Sequence, residues 1–208
     1  PACSLFSSMS EIDQNSRLTG KIYHSSLPWE NMKPVDMIRQ NASVFGAAHA
    51  WSSDVMTSFP PINTSIINED SVIPFRASLL GGVIYIDKIL VRYRANIGLA
   101  SNYGQGVTPS KLAARDSRLL RRPYSVYLQK VSDIRWMGLE KSEIYTIAKS
   151  RRADHLFRYW LSVNGKITVN RIILFFRRCR IAWLTREIFL HIYFRKKKDT
   201  KINVFYNG

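Results

Sequence analysis

The chain has 208 residues, 46% of them hydrophobic, with ten Gly, eight Pro and 31 Lys and Arg against 15 Asp and Glu, for a net charge of +16. That length suits one domain with or without an appendage, and the apolar and aromatic content excludes a disordered, collagen-like or low-complexity polypeptide. Two cysteines, Cys3 and Cys179, make no disulfide framework, so a reducing compartment is the default.

The chain opens at Pro1 without a Met or a secretory leader and enters directly into an apolar segment, the expectation for a fragment or a truncated reading frame. Ala2–Met9 reads as a buried strand, and the polar run from Glu11 to Arg17 as a turn into a second strand near Lys21–His24. Pro34–Ala42 has helical spacing, with Val35, Ile38 and Ala42 on one side. Val44–Trp51 reads as a strand whose backbone is closely approached at Gly46. A short helix over Ser52–Phe59, capped by Ser52 or Ser53, closes at Pro60 and Pro61. Asn68, Glu69 and Asp70 precede a helix carrying Val72, Phe75, Leu79 and Leu80, which Gly81 and Gly82 terminate. Val83–Ile86 and Ile89–Tyr93 read as two adjoining strands divided by Asp87 and Lys88. After a Gly-, Asn- and Ser-rich loop over 95–109, the spacing predicts helices over Pro109–Val131 and Lys141–Val163, then a mixed apolar and basic pattern over Val169–Phe194. Strands and helices through residue 95 followed by helices alone make an α/β unit, residues 1–107, with a helical extension, residues 108–208.

Charge follows the same division. Residues 1–110 hold eight basic and eight acidic side chains, leaving 23 basic and seven acidic to 111–208. A neutral half and a basic half imply an anionic partner for the second, either nucleic acid or an anionic membrane surface. No segment reads as a transmembrane helix: the longest uncharged run in the apolar C-terminal region is Ile188–Phe194, seven residues, against the roughly 20 that a span requires.

The segment from Asn68 to Arg94 carries the most chemistry. Two carboxylates at a helix start are stabilised by free backbone N–H groups and by the positive end of the helix dipole. They admit two readings: acidic caps of the helix, or an ionised Asp70 serving as a general base toward a substrate hydroxyl. No Gly-rich phosphate loop with Lys, His-Glu-x-x-His or Cys-x-x-Cys motif is present. His24, His49, His155 and His191 are isolated, and Glu11-Ile-Asp13 reads as part of a turn rather than a metal site.

Together with Gly46-Ala-Ala-His-Ala-Trp51, this segment resembles the acceptor-side half of inverting family-2 glycosyltransferases with the GT-A fold. The parts stand in order: a Gly-Ala-containing segment, a short helix ending in Phe and Pro, the Glu69-Asp70 pair, Arg76 inside the next helix, a Gly, and Tyr85-Ile…Leu90-Val-Arg-Tyr-Arg94. The resemblance covers about residues 2–95 and implies a partial, Rossmann-like GT-A sheet with flanking helices. It implies that Asp70 is the catalytic base and that Glu69 orients the acceptor. Gly46 and Ala47 would line the acceptor cleft, and His49 and Trp51 would contact the acceptor, the indole by stacking or else by packing in the core. Arg76 would form an ion pair within the site, and Arg92 or Arg94 would approach the donor diphosphate, a solvated or structural pair being the alternative for each. The implied reaction moves a sugar from a nucleotide-sugar donor to a glycan or lipid-linked acceptor, in bacterial surface polysaccharide biosynthesis. The implied divalent metal, Mg or Mn, belongs to a motif outside this chain, as does the donor-binding half, so the chain alone would be an inactive portion of the enzyme.

In the C-terminal region, Arg151-Arg152, Arg177-Arg178-Cys-Arg180 and Arg195-Lys-Lys-Lys198 alternate with runs rich in Ile, Phe, Trp and Tyr. Such interleaving fits helices lying in the headgroup layer of an anionic membrane, which would place the enzyme peripherally at the cytoplasmic face. A helical bundle and a nucleic-acid module are the competing readings, the latter without any accompanying recognition signature. The alternative to the enzyme is a basic membrane- or polyanion-binding module built on a degenerate transferase core.

Overall fold

A computed structural model describes residues 2–66, 68–94 and 109–164, the side chains of 109–121 and 160–164 excepted. The described chain is a mixed α/β structure with a four-stranded mixed sheet and five α-helices. Its centre is β1, Ser4–Ile12. One edge of β1 pairs in parallel with β4, Val83–Arg94, from Ser4↔Val83 to Ile12↔Arg94. Its other edge is shared by two short antiparallel strands. β2, Leu18–Tyr23, takes residues 9–12, and β3, His49–Trp51, takes residues 4–6. Parallel strands cannot be joined by a tight turn, and the chain between β1 and β4 supplies α1 (Pro34–Arg39), α2 (Asp54–Thr57) and α3 (Glu69–Leu80).

Two readings of the strands need correction. The Val44–Trp51 segment is a strand only over its last three residues, because Gly46–Ala48 form a 3₁₀ turn. Asp87 and Lys88 do not end a strand; β4 is continuous and absorbs extra residues as bulges, between the pairs Ser7↔Ile86 and Ser8↔Ile89 and again before Met9↔Val91. Asp87 is exposed, and its carboxylate also accepts hydrogen bonds from the Tyr85 hydroxyl at 3.0 Å and from Ser8 Oγ at 3.3 Å, so a charge is accommodated in mid-strand.

The core lies on the sheet face carrying Phe6, whose ring packs edge-on to Trp29 at 4.8 Å and against Tyr85 at 4.9 Å. Met37, Ile38, Val44, Val55, Phe75 and Val83 complete it. Helix α3 is buried at every position from Ser71 to Ala77, as expected of a helix enclosed on all sides rather than lying on a surface.

Helices α4, Pro109–Trp136, and α5, Glu143–Asn164, follow. Tyr127, Val131, Ile134, Ile144, Tyr145 and Ala148 belong to the same core as Phe6 and Phe75, and residues as far as Val163 form one compact unit. Among the described residues no helix is long and apolar enough to cross a membrane. The Val169–Phe194 pattern and the basic runs from Arg177 onward lie outside the described residues.

Candidate functional site

The site is built around the first turn of α3, and its geometry begins with a proline. Pro74 stands inside the helix and has no N–H to give the carbonyl four residues earlier, that of Asp70. That carbonyl instead accepts the Val44 N–H at 3.1 Å. The adjacent Ser71 Oγ donates to the Ala42 carbonyl at 3.3 Å, and the 42–46 segment is thereby laid along the start of the helix. Two residues beyond Val44, the Asp70 carboxylate lies against the Gly46 backbone, whose N–H favours its charged form.

The approach is so close that any side chain at position 46 would displace the carboxylate. A Cβ at position 46 would lie 2.8 Å from Asp70 Cγ and nearer still to Oδ1, inside any permitted contact. The expected close approach at Gly46 is therefore made by the Asp70 side chain itself. Gly46→Ala is expected to push the carboxylate away from the residue 46 backbone at a cost of about 1–3 kcal/mol, the range for overpacking a fitted site. Urea denaturation would show the loss, and carbon-detected NMR titration would show the Asp70 pKa rising further.

Asp70 is half-buried, and burial together with the negative charge of Glu69 holds its pKa above the ordinary carboxylate value despite the Gly46 N–H. It is thus a stronger base than a solvated carboxylate. Glu69 is exposed beside it, and Ala47 is exposed on the 3₁₀ turn. His49 follows that turn, with its Nε2 buried and unpartnered. Burial lowers its pKa to about 4, so the ring is neutral at physiological pH. Trp51, two residues on and 5.1 Å from the His49 ring, is 43% exposed. It is an open aromatic face rather than a core residue.

The arginines are placed elsewhere. Arg76 is six residues beyond Asp70, about 240° further round the helix. It is fully buried, with Nε and Nη2 on the Asp133 carboxylate at 2.8 and 2.9 Å and Nη2 also on the Pro60 carbonyl at 2.8 Å. Its guanidinium ties α3 to α4. Arg94 donates to the carbonyls of Asp13 and Gln14 and to Ser16 Oγ, pinning the β1–β2 turn. Arg92 is exposed at a cavity of about 380 Å³ lined by Leu18, Ile22 and Leu90. The structure thus sets Asp70, beside Glu69, against Gly46, places Ala47, His49 and Trp51 on the turn and strand that continue from Gly46, and commits Arg76 and Arg94 to structural contacts. Neither this cavity nor a second one of about 250 Å³ borders Asp70.

Among the described residues no group of three or more His, Cys, Asp or Glu side chains is placed to hold a metal ion. The Glu11 carboxylate is engaged by the Tyr23 hydroxyl and Lys21, and Asp13 Oδ1 accepts the N–H groups of Asn15 and Arg17. These residues do not fit the implied metal.

Sequence reasoning passed over the groups that hold the site in place: Pro74, Ser71, Lys130 and Asp133. The available signal was the i, i+3 spacing of Lys130 and Asp133 beside Tyr127, Val131 and Ile134, which puts polar groups on an apolar helix face. In comparisons with known proteins, the chain matches no family model, no curated protein and no solved structure.

Proposed function

We propose that this chain is the acceptor-side portion of an inverting glycosyltransferase with a GT-A-type sheet, and that Asp70 is its general base. The observation that carries the reading is the placement of Asp70: a half-buried carboxylate with a raised pKa, packed against Gly46 at the start of α3. The neutral His49 and the open Trp51 indole stand on the strand that follows Gly46. In the reaction, the acceptor hydroxyl gives its proton to Asp70 as its oxygen bonds to the anomeric carbon of the donor sugar, and the bond from that carbon to the nucleotide diphosphate breaks with inversion. The exposed indole offers an apolar face for a sugar ring, and Glu69 offers acceptor lone pairs to its hydroxyls. The donor site belongs to residues this chain does not supply.

The test joins the chain to a donor-binding half of a family-2 glycosyltransferase and follows nucleotide-sugar turnover in the presence of acceptor. Asp70→Asn keeps the size and the Gly46 contact while removing the base, and turnover is expected to fall by about 10²- to 10⁴-fold, the usual contribution of a positioned acid or base. Equal turnover by the two proteins would reject Asp70 as the base.

A further inference from the structure

The cavity of about 250 Å³ lies between the loop after α2 and the outer surface of α4 and α5. Its charged groups are two guanidinium side chains, Arg135 on α4 and Arg152 on α5, and no carboxylate lines it. Ser65, Ser125, Ser132 and Asn63 supply its hydroxyl and amide groups. Nearby acids are engaged elsewhere: Asp133 is buried on Arg76, Asp154 pairs with Arg158, and Glu143 pairs with Arg39. Arg135 Nε donates to the Tyr145 hydroxyl at 2.7 Å, which anchors the guanidinium through a nitrogen other than its two terminal ones. The lining is equally well anchored. The Asn63 N–H donates to Gln129 Oε1 at 3.1 Å, and Gln129 Nε2 donates to Asp133 at 2.8 Å, so the loop is fastened to the buried Arg76–Asp133 pair.

We infer that this cleft is a binding site for a phosphoryl group, held by Arg135 and Arg152 and by the serine hydroxyls around them. Two cations without a lining acid leave an uncompensated positive potential in a concave, partly dehydrated space, where an anion is favoured. Guanidinium groups match phosphate oxygens through paired N–H donors. The volume is below the roughly 300–1,000 Å³ of pockets for drug-sized molecules, which restricts the occupant to a phosphate or a small phosphomonoester. This site stands apart from Asp70 and does not depend on the proposed transferase activity.

The experiment uses the full chain and titrates it with inorganic phosphate and with glycerol 3-phosphate, followed by isothermal calorimetry and by NMR of the arginine side chains. Saturable binding that moves the Arg135 and Arg152 signals is expected. Arg152→Gln should weaken it at least 10-fold and Arg152→Lys by less, while Arg17→Gln, on the exposed β1–β2 turn, should leave it unchanged. Thermal melts of each variant separate lost binding from lost folding, and Ser132→Ala gives a second, milder probe of the same cleft. Vesicles containing phosphatidic acid identify the source. Capture that free glycerol 3-phosphate competes away assigns the site to a lipid headgroup, and binding of the free ester without capture assigns it to a soluble ligand. Absence of saturable binding at low salt, or equal losses in Arg152→Gln and Arg17→Gln, would overturn the assignment.

Discussion

Replacing Asp133 with alanine is expected to cost about 3–5 kcal/mol of folding stability, the range for removing one partner of a buried ion pair. Asp133 and Arg76 are both fully buried, and the carboxylate accepts two bonds from the guanidinium and a third from Gln129. Removing the acid strands a positive charge in the core, and a buried charge without a partner is far more costly than the intact pair is stabilising. The Nη1 atom of Arg76 already lacks a partner, so no spare acceptor stands ready to compensate. The double variant Arg76→Met/Asp133→Leu removes both charges together and is expected to recover most of the loss. Urea-denaturation midpoints for the three proteins make the comparison. A loss below about 1 kcal/mol in Asp133→Ala would show that the pair is hydrated in solution.

Lys130→Met is expected to act in the opposite direction and to depend on pH. Lys130 is fully buried, and its ammonium has one hydrogen bond, to Ser71 Oγ at 2.9 Å, with the rings of Phe75 and Tyr127 each 5.2 Å away. Burial lowers its pKa from the ordinary 10.5 to about 7. Between those values the unfolded chain holds a proton that the folded chain has released, so wild-type stability rises as the pH goes up from about 7 to 10.5. Below about pH 7 both states are protonated, and the cost of burying the charge is present in full. At pH 6–7 the methionine variant should therefore be more stable by about 3 kcal/mol, after allowing for the lost Ser71 bond, since each pKa unit corresponds to about 1.4 kcal/mol. The difference should shrink to nothing or reverse near pH 10.5. His155 stays in both proteins; its pKa is lowered mainly by burial, with the charge of Lys130 among the lesser causes. The quantity to plot is therefore the difference between the two stability curves. A difference that does not vary with pH would show that Lys130 titrates like a solvated lysine.

These two side chains also mark where the sequence was hard to read. Local signals carried a good deal: the acidic start and double-glycine end of α3, the Pro60-Pro61 stop after α2, and the long helices α4 and α5 all stand close to where spacing and punctuation put them. Gly46 was legible as a point of close approach, though not the group that approaches, because a glycine reports the missing Cβ and not its neighbour. The 3₁₀ turn at Gly46–Ala48 was missed because the Val44 N–H just before it goes to the Asp70 carbonyl of α3 rather than to a neighbouring strand, a pairing that no local pattern discloses. Asp87 and Lys88 looked like punctuation, but both are exposed, and the hydroxyls of Ser8 and Tyr85 also bond the Asp87 carboxylate in mid-strand. Lys130 and Asp133 sit in a strongly basic stretch where charged side chains normally face water. Their burial depends on partners in α3 that no local pattern discloses.

The proline of α3 has a mechanical consequence. By withholding one donor it makes a carbonyl in the helix's own first turn the anchor of a different stretch of chain, so the loop and the carboxylate beside it move as one piece. Farther along the same helix, Arg76 bolts that piece to α4. A displacement of the 42–46 segment would therefore be felt by α3 through the Val44–Asp70 bond, and by α4 through the Arg76–Asp133 pair.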